Sequence, residues 1–309
     1  MKASIFVQLA AKLKRDYSLS DPRWDIPDDG VEGNTLVVTD EVHKCVIKFF
    51  DNHKQAETVA AFQHQLYIAN LLVPAVIPTN TGELTVKLGS TTIVMSEFID
   101  GVTIGWGKEF SELSGSISVS LAKALGNIHK ASQSLPINIE TGHSLDTEHI
   151  IHQAENRLDL GRLMEDLQNT RKAMIHADLA RENIFLDESH TRVKAIIDFG
   201  DANFDYLTYD IATLLTQVYV TKSWGIDFKA IEEFMEVYLN RNPLERCELQ
   251  TIVPLMKLRN LGLLHEIEQK LREGGPDSMS LESIRQSLAV KLCLLEEQGT
   301  RLEDIIQAV

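Results

Sequence analysis

Only three cysteines occur in the 309 residues, Cys45, Cys247 and Cys293, odd in number and far apart. That excludes a disulfide framework and any zinc-type spacing, and points to a reducing compartment. Basic residues are also scarce: 30 Lys and Arg stand against 45 Asp and Glu, a formal charge of −15. A surplus of that sign argues against a general nucleic-acid binder, whose affinity comes from neutralising phosphates. It suits a cationic small molecule, and equally the dispersal of an ordinary acidic protein. No run approaches the roughly 20 uncharged apolar residues that cross a bilayer, so no membrane partner is expected. The N-terminal run MKASIFVQLAAKLKRDY contains Gln8 and ends in Lys12, Lys14 and Arg15, without the small-residue cleavage site of a signal peptide. Ile5, Phe6, Leu9 and Leu13 recur at helical spacing instead, which predicts an amphipathic helix packed on the domain of a soluble, cytoplasmic protein. The sequence carries no signature of oligomeric state.

What is present divides into two regions. After the first helix, short β-rich runs at Thr35–Thr39 and Cys45–Phe50 are separated by five residues, four of them polar, as in a tight hairpin. A helical pattern covers His53–Leu72, and a second strand pair, Leu84–Leu88 and Thr92–Phe98, turns at Gly89-Ser90. Beyond Asp100-Gly101 the periodicity is helical at Ser118–Ser132, Thr147–Leu167, Ile211–Val220, Phe228–Asn240, Leu249–Glu273 and Leu281–Gln298. One hairpin around Glu188–Thr191 interrupts it. The expected fold class is α+β with two lobes: a small antiparallel-sheet lobe over residues 1–98 that binds nucleotide, and a larger, mainly helical lobe over 99–309 that carries catalysis and the acceptor. A cleft between lobes is a natural ligand site.

The segment IHADLARENIFLDESHTRVKAIIDFGDANFDYLTYD, Ile175 to Asp210, carries the chemistry. His176, Asp178 and Asn183 form an H-x-D-x-x-x-x-N run, and Asp198-Phe199-Gly200 follows the hairpin. These residue types in this order hold a magnesium-bound triphosphate beside an acceptor hydroxyl. Strand Ile184–Leu186 leads into the turn and Val193–Ile197 returns. Symmetric pairing about that turn would place Asn183 opposite Asp198, about 5 Å apart at Cβ. An amide and a carboxylate at that separation suit one hard divalent ion, with room for phosphate oxygens and water. Asp178 is the candidate catalytic carboxylate, orienting the acceptor hydroxyl toward the γ-phosphate. His176 is expected to hydrogen-bond the loop as scaffold. Asp210 precedes an apolar run and reads as its N-cap, a role compatible with bracing the catalytic loop.

On the nucleotide side, Lys48 ends the strand VIKFF and can reach the α- and β-phosphates if a carboxylate holds it; Glu57, in the following helix, is the expected partner. Lys44 has the same strand parity, and Lys48 is preferred for its apolar neighbours. Between the first strands stands Gly30-Val31-Glu32-Gly33-Asn34, neither G-x-G-x-x-G nor Walker A. Ile93–Phe98 runs into the lobe junction. An extended backbone there could offer the Ser96 carbonyl and the Phe98 amide to an adenine edge, with Met95 lining the back, or could be a core strand ending in a loop.

HADLARENIF with IIDFGDANFDYLTYDIA, supported by VIKFF, MSEFIDG and LAKALGNIHK, resembles the aminoglycoside phosphotransferase and homoserine/choline kinase group, small-molecule kinases of protein-kinase-like fold. The resemblance spans about Gly30 to Leu215. It implies ATP as donor, Asp178 as catalytic aspartate, magnesium on Asn183 and Asp198, Lys48 on the phosphates, and Ser96 and Phe98 on adenine. The expected partner is a small hydroxyl-bearing molecule, with an amino group that Asp201, Asp205 or Glu266 could meet, although ordinary solvated acids are the commoner case. IVPLMKLRNLGLLHEIEQKL is similar to the homoserine and hydroxylysine kinase branches, MSEFIDG to the aminoglycoside branch. A protein kinase is disfavoured because little chain separates Asp198 from Asp210 and no A-P-E follows. An idle nucleotide-binding regulator is disfavoured because Lys48, Asp178, Asn183 and Asp198 are all present.

Overall fold

The computed structural model describes residues 3–25, 34–104, 115–135, 158–223, 225–274 and 278–309. The N-terminal region is a five-stranded antiparallel sheet, order β1-β2-β3-β5-β4, built from β1 (Arg23–Asp25), β2 (Thr35–Thr39), β3 (Lys44–Phe50), β4 (Thr85–Leu88) and β5 (Thr91–Glu97). Alternation along these strands sorts the side chains onto two faces. Leu36, Val38, Ile47, Ile93 and Met95 are buried on one face against α1 (Ala3–Tyr17), which contributes Leu9 and Leu13. The expected amphipathic helix is therefore present, with Phe6 packed at its edge. Val46, Lys48, Val94 and Ser96 share the other face, toward the cleft. Met95 thus belongs to the outer core, at 3.4 Å from the Cys45 thiol, and not to the back of the cleft.

Helix α2 (His53–Ile68) starts where the Asn52 side chain accepts the Gln55 N–H, an N-cap that satisfies an otherwise unpaired donor. It buries Ala56, Val59, Ala60, Phe62, Gln63 and Leu66. The C-terminal region contains α3 (Gly115–Ser132), α4 (Leu160–Leu167), α5 (Leu207–Tyr219), α6 (Phe228–Leu239), α7 (Arg246–Glu273) and α8 (Ser278–Ala308). The predicted helix at 147–167 is borne out at its end; residues 147–157 lie outside the described residues, as do Gly30, Val31, Glu32 and Gly33. The sequence reading also missed short strands here: β6 (Val102–Thr103) beside the hairpin of β8 (Ile184–Leu186) and β9 (Val193–Ile196), and β7 (Lys172–Ile175) paired antiparallel with β10 (Asn203–Tyr206). In the β7–β10 ribbon Ile175 pairs with Asn203, so the loop that begins at His176 leaves the sheet beside the residues that follow the Asp198-Phe199-Gly200 turn. Two further short strands, β11 (Val220–Thr221) and β12 (Gly225–Ile226), pair beyond α5. Among the described residues no helix is long and apolar enough to cross a membrane.

Candidate active site

The loop after β7 is held from beneath. Asp210 is fully buried in the first turn of α5; its Oδ1 accepts the Ala177 N–H at 2.7 Å and its Oδ2 the His176 N–H at 2.8 Å. The N-cap of that helix is Tyr206, so Asp210 is not the cap expected; its carboxylate is spent on the loop instead. Ala177 is left-handed, φ 69°, a conformation costing a non-glycine residue about 1–2 kcal/mol and here stabilised by the Asp210 bond. Oδ2 of Asp210 also meets His129 Nε2 at 3.1 Å, His129 Nδ1 meets the Tyr238 hydroxyl at 2.7 Å, and Asn242 Nδ2 donates to that hydroxyl at 2.9 Å. A buried polar chain thus runs from α6 through α3 to the loop. His129 is the penultimate residue of the helical segment LAKALGNIHK, and its role becomes visible only in the fold.

His176 matches its expected scaffold position. Its Nδ1 accepts the Asp178 N–H at 3.2 Å, which leaves Nε2 to donate to the Ile197 carbonyl at 2.8 Å. Its ring lies 4.6 Å from that of Phe199, tying the loop to the Asp198-Phe199-Gly200 turn. Asn183 closes the other side, with Nδ2 on the Asp178 carbonyl at 2.9 Å and on Asp178 Oδ2 at 3.3 Å.

The hairpin register departs from the symmetric expectation by one residue. Ile184 pairs with Ile196 and Phe185 with Ala195, with an irregularity at Phe185/Leu186. The Asn183 carbonyl accepts from Ile197, so Asn183 does not directly oppose Asp198. The bulge absorbs a residue that symmetric counting cannot see. Asp198 lies one step beyond the ladder in a left-handed conformation, φ 63°, and accepts the Gly200 N–H at 3.2 Å.

Lys48 Nζ reaches across the cleft to Asp198 Oδ1. Burial alone would raise the Asp198 pKa, but the Lys48 charge and hydrogen bond, followed by the Gly200 N–H, hold it below the usual carboxylate range. The expected Lys48–Glu57 pair does not form. Glu57 points to solvent from α2 and meets His53 Nε2 one turn earlier, at 3.2 Å. The helix touches the site through Gln55, whose Nε2 donates to the Gly200 carbonyl at 3.2 Å, and through Phe62, edge-on to Phe199.

The cleft beside Lys48 and Asp198 is walled by Val46, Val94, Phe98, Phe185 and Ile197. Ser96 lines it with a side chain that accepts from Gln63 Nε2 at 3.2 Å. Its carbonyl, however, is turned toward β3. The Glu97 N–H goes to Ala75 on the opposite side, and hydrogen-bonding direction alternates along a strand. Phe98 stands past the strand end, with Lys44 Nζ 3.7 Å from its ring centroid, so the two lysines of equal parity do different things.

Over residues 26–247 the chain matches the phosphotransferase enzyme family. It belongs to that family. A homoserine kinase of Methylobacillus flagellatus is 33% identical over 79 residues, 26% of this chain and 24% of that protein, so the chain matches about a quarter of the length of this curated relative. Among solved structures, a microcompartment-associated aminopropanol kinase superposes with TM-score 0.69 at 19% identity, over 96% of this chain and 98% of the other. An amicoumacin kinase in complex with AMP-PNP and Ca2+ gives 0.68 at 16% identity, over 98% and 96%. These likenesses show a kinase-like fold, an antiparallel sheet followed by a helical region, as the sequence reading expected.

One residue of this phosphotransferase-family site was missed. Arg259 of α7 donates from Nη2 to Asp178 Oδ1 at 2.9 Å. Its signal was present: Arg259 occupies the apolar stripe Ile252, Leu255, Met256, at i, i+3, i+4, i+7, where a charge is out of place. The suggested acidic residues divide. Glu266 is paired with Lys270 on the surface, Asp205 is buried in β10 and accepts the Tyr206 N–H, and Asp201 is exposed.

Proposed function

We propose that the protein transfers the γ-phosphate of ATP to a hydroxyl of a small molecule, with Asp178 as the catalytic carboxylate. The observation carrying this reading is that Asp178 and Asn183 are hydrogen-bonded on a loop locked by Asp210 and His176, Lys48 pairs with Asp198 in the adjoining cleft, and the two groups join where the Ile197 N–H donates to the Asn183 carbonyl. Asp178 accepts a hydrogen bond from the acceptor hydroxyl and orients its oxygen in line with the γ-phosphorus. As the new O–P bond forms, the bond to the β–γ bridging oxygen breaks, ADP leaves, and the hydroxyl proton passes to the Asp178 carboxylate. Phosphoryl transfer proceeds through a loose transition state, so position and charge matter more than base strength. Lys48 stands on the phosphate side, and the apolar walls at Val46, Val94 and Phe185 accept a flat base, with Ser96 and Phe98 at its edge.

The donor set fits magnesium. Asp198, held ionised, and the Asn183 amide oxygen are hard ligands, few enough to leave positions for phosphate and water. Among the described residues no trio of His, Cys, Asp or Glu offers a competing cluster. When bound, the ion neutralises charge developing on the phosphoryl oxygens. The relatives that act on aminopropanol, amicoumacin and homoserine, one of them solved with a nucleotide analogue, support the same reading.

The test supplies ATP and magnesium with panels of aminoglycosides, amino alcohols, hydroxy amino acids, choline and a generic protein acceptor. Transfer to a small molecule, abolished in Asp178→Ala, is expected. Transfer to the protein acceptor alone would overturn the small-molecule reading, and intact ATP binding without any transfer would favour a regulator.

A further inference from the structure

A second charge stands out of place on the helix facing α7. Lys291 of α8 sits in the apolar stripe Leu288, Leu292, Leu295, is 3% exposed, and donates to Gln217 Oε1 at 3.1 Å. Burial, then the charges of Arg259 and Arg181, push its pKa down to about 7. Arg181 lies half-buried, with Nε on the Gln217 carbonyl at 3.0 Å and Nη2 on that of Val218, where it caps the end of α5. Glu182 completes the group; burial, with the nearby Asp178 charge, raises its pKa. Three basic side chains thus surround two acidic ones beside the catalytic loop, in a chain whose overall charge is −15. The local sign is the reverse of the global one.

Arg259 is 8% exposed, and while its Nη2 holds Asp178, its Nη1 is buried without a hydrogen-bond partner. A buried donor left unpaired costs about 1–3 kcal/mol, more on a charged group. A helix stripe that could carry leucine carries this cost at the point where the acceptor hydroxyl must bind. From this geometry we propose that Arg259 binds a carboxylate of the acceptor through Nη1, so that the phosphorylated molecule is a short hydroxy acid or hydroxy amino acid. The assignment deepens the phosphotransferase reading and rests on it. One guanidinium then bridges two carboxylates, the catalytic one and the substrate's. With hydrogen bonds of about 2.8 Å on either side, hydroxyl and carboxylate oxygens come within roughly 4–6 Å of each other, which limits the chain between them to a few carbons. Lys291 and Arg181 keep the surroundings positive without competing for that position.

Matched pairs test the assignment: serine against ethanolamine, threonine against 1-amino-2-propanol and homoserine against 3-amino-1-propanol, each differing by the carboxylate alone. The wild type is expected to prefer the carboxylate-bearing partner of at least one pair by about a hundredfold in kcat/KM, since a site built around a charged donor rejects a ligand lacking its counterpart. Arg259→Gln should bring that ratio close to one, mainly through KM, and Arg259→Lys should recover part of it. Preference for the amino alcohol throughout, or a ratio unchanged in Arg259→Gln, overturns the proposal. The wild-type ratios decide even if a variant fails to fold. If no pair reacts, thermal shift in the presence of AMP-PNP and magnesium decides: stabilisation by an acid and not by its amino alcohol supports the assignment, and equal or absent stabilisation overturns it. Nucleotide titration of the same preparation separates the two levels. Failure to bind ATP with magnesium defeats the phosphotransferase reading itself, whereas normal ATP binding with indifference to the carboxylate defeats the anion assignment alone.

Discussion

Replacing Asp210 by asparagine should damage both stability and turnover. Three donors converge on this fully buried carboxylate: the N–H groups of His176 and Ala177, and His129 Nε2. An asparagine keeps the shape and one accepting oxygen. If that oxygen stays on Ala177, the new amide nitrogen faces the His176 N–H and the His129 ring. A change of tautomer at His129 can recover one contact, leaving one or two unpaired donors at about 1–3 kcal/mol each. We expect a loss of about 2–4 kcal/mol in urea denaturation followed by circular dichroism. The left-handed Ala177 then loses its restraint, and Asp178, the next residue, shifts. At a temperature where the variant is fully folded, kcat should fall about a hundredfold, the usual cost of misplacing a reacting group by an ångström. Ala177→Gly is the control, changing stability by less than about 1 kcal/mol, because glycine adopts the left-handed conformation freely. Asp210→Asn with wild-type stability and turnover would refute the reasoning.

Three further outcomes follow from the same contacts. In Gly200→Ala the new methyl meets the end of the Lys48 side chain, which is flexible, so folding should change by less than about 1 kcal/mol. Lys48 would nevertheless be moved off Asp198, and KM for ATP should rise about tenfold or more by kinetic assay. Glu248 is buried; its pKa, which burial would raise, is lowered by Arg171 and the Glu245 N–H. Its contribution is therefore full above the unfolded value of about 4.3 and fades as pH falls through the lower folded value. Glu248→Gln should cost about 3 kcal/mol at neutral pH, with the gap to wild type narrowing in urea melts below that range. Lys291, with a folded pKa of about 7, binds fewer protons than in the unfolded chain between there and its ordinary value. Wild-type stability should gain from this group as pH rises from 6.5 to 9, and Lys291→Met should lose that gain; equal slopes in urea melts would contradict it.

How much of this was legible in the sequence depends on the range of the interaction. Strand Thr35–Thr39 and the ends of the Ile184 hairpin follow from local alternation and turn residues, and the structure places them there. The β7–β10 ribbon escaped notice because its four-residue strands pair across a long intervening stretch, beyond any periodicity window. The hairpin register was missed by one residue because a bulge leaves no mark in composition. Glu57 satisfied the sequence spacing expected of a lysine partner, but helix rotation carried it to solvent and left Lys48 to Asp198. Asp210 was placed at the right point of the chain and its bracing role foreseen, yet only the fold shows both oxygens engaged by the loop. Arg259 and Lys291 were readable as charges in apolar stripes, a pattern that signals burial without saying what the charge meets.

The central claim is that Asn183 and Asp198 hold one divalent ion within reach of Asp178. Crystals grown with a non-hydrolysable ATP analogue and Mn2+ test it through the anomalous signal of the metal. The account predicts a peak coordinated by Asn183 Oδ1, an Asp198 carboxylate oxygen and phosphate oxygens, with the γ-phosphate facing Asp178. A metal bound elsewhere, or a triphosphate directed away from Asp178, would contradict it.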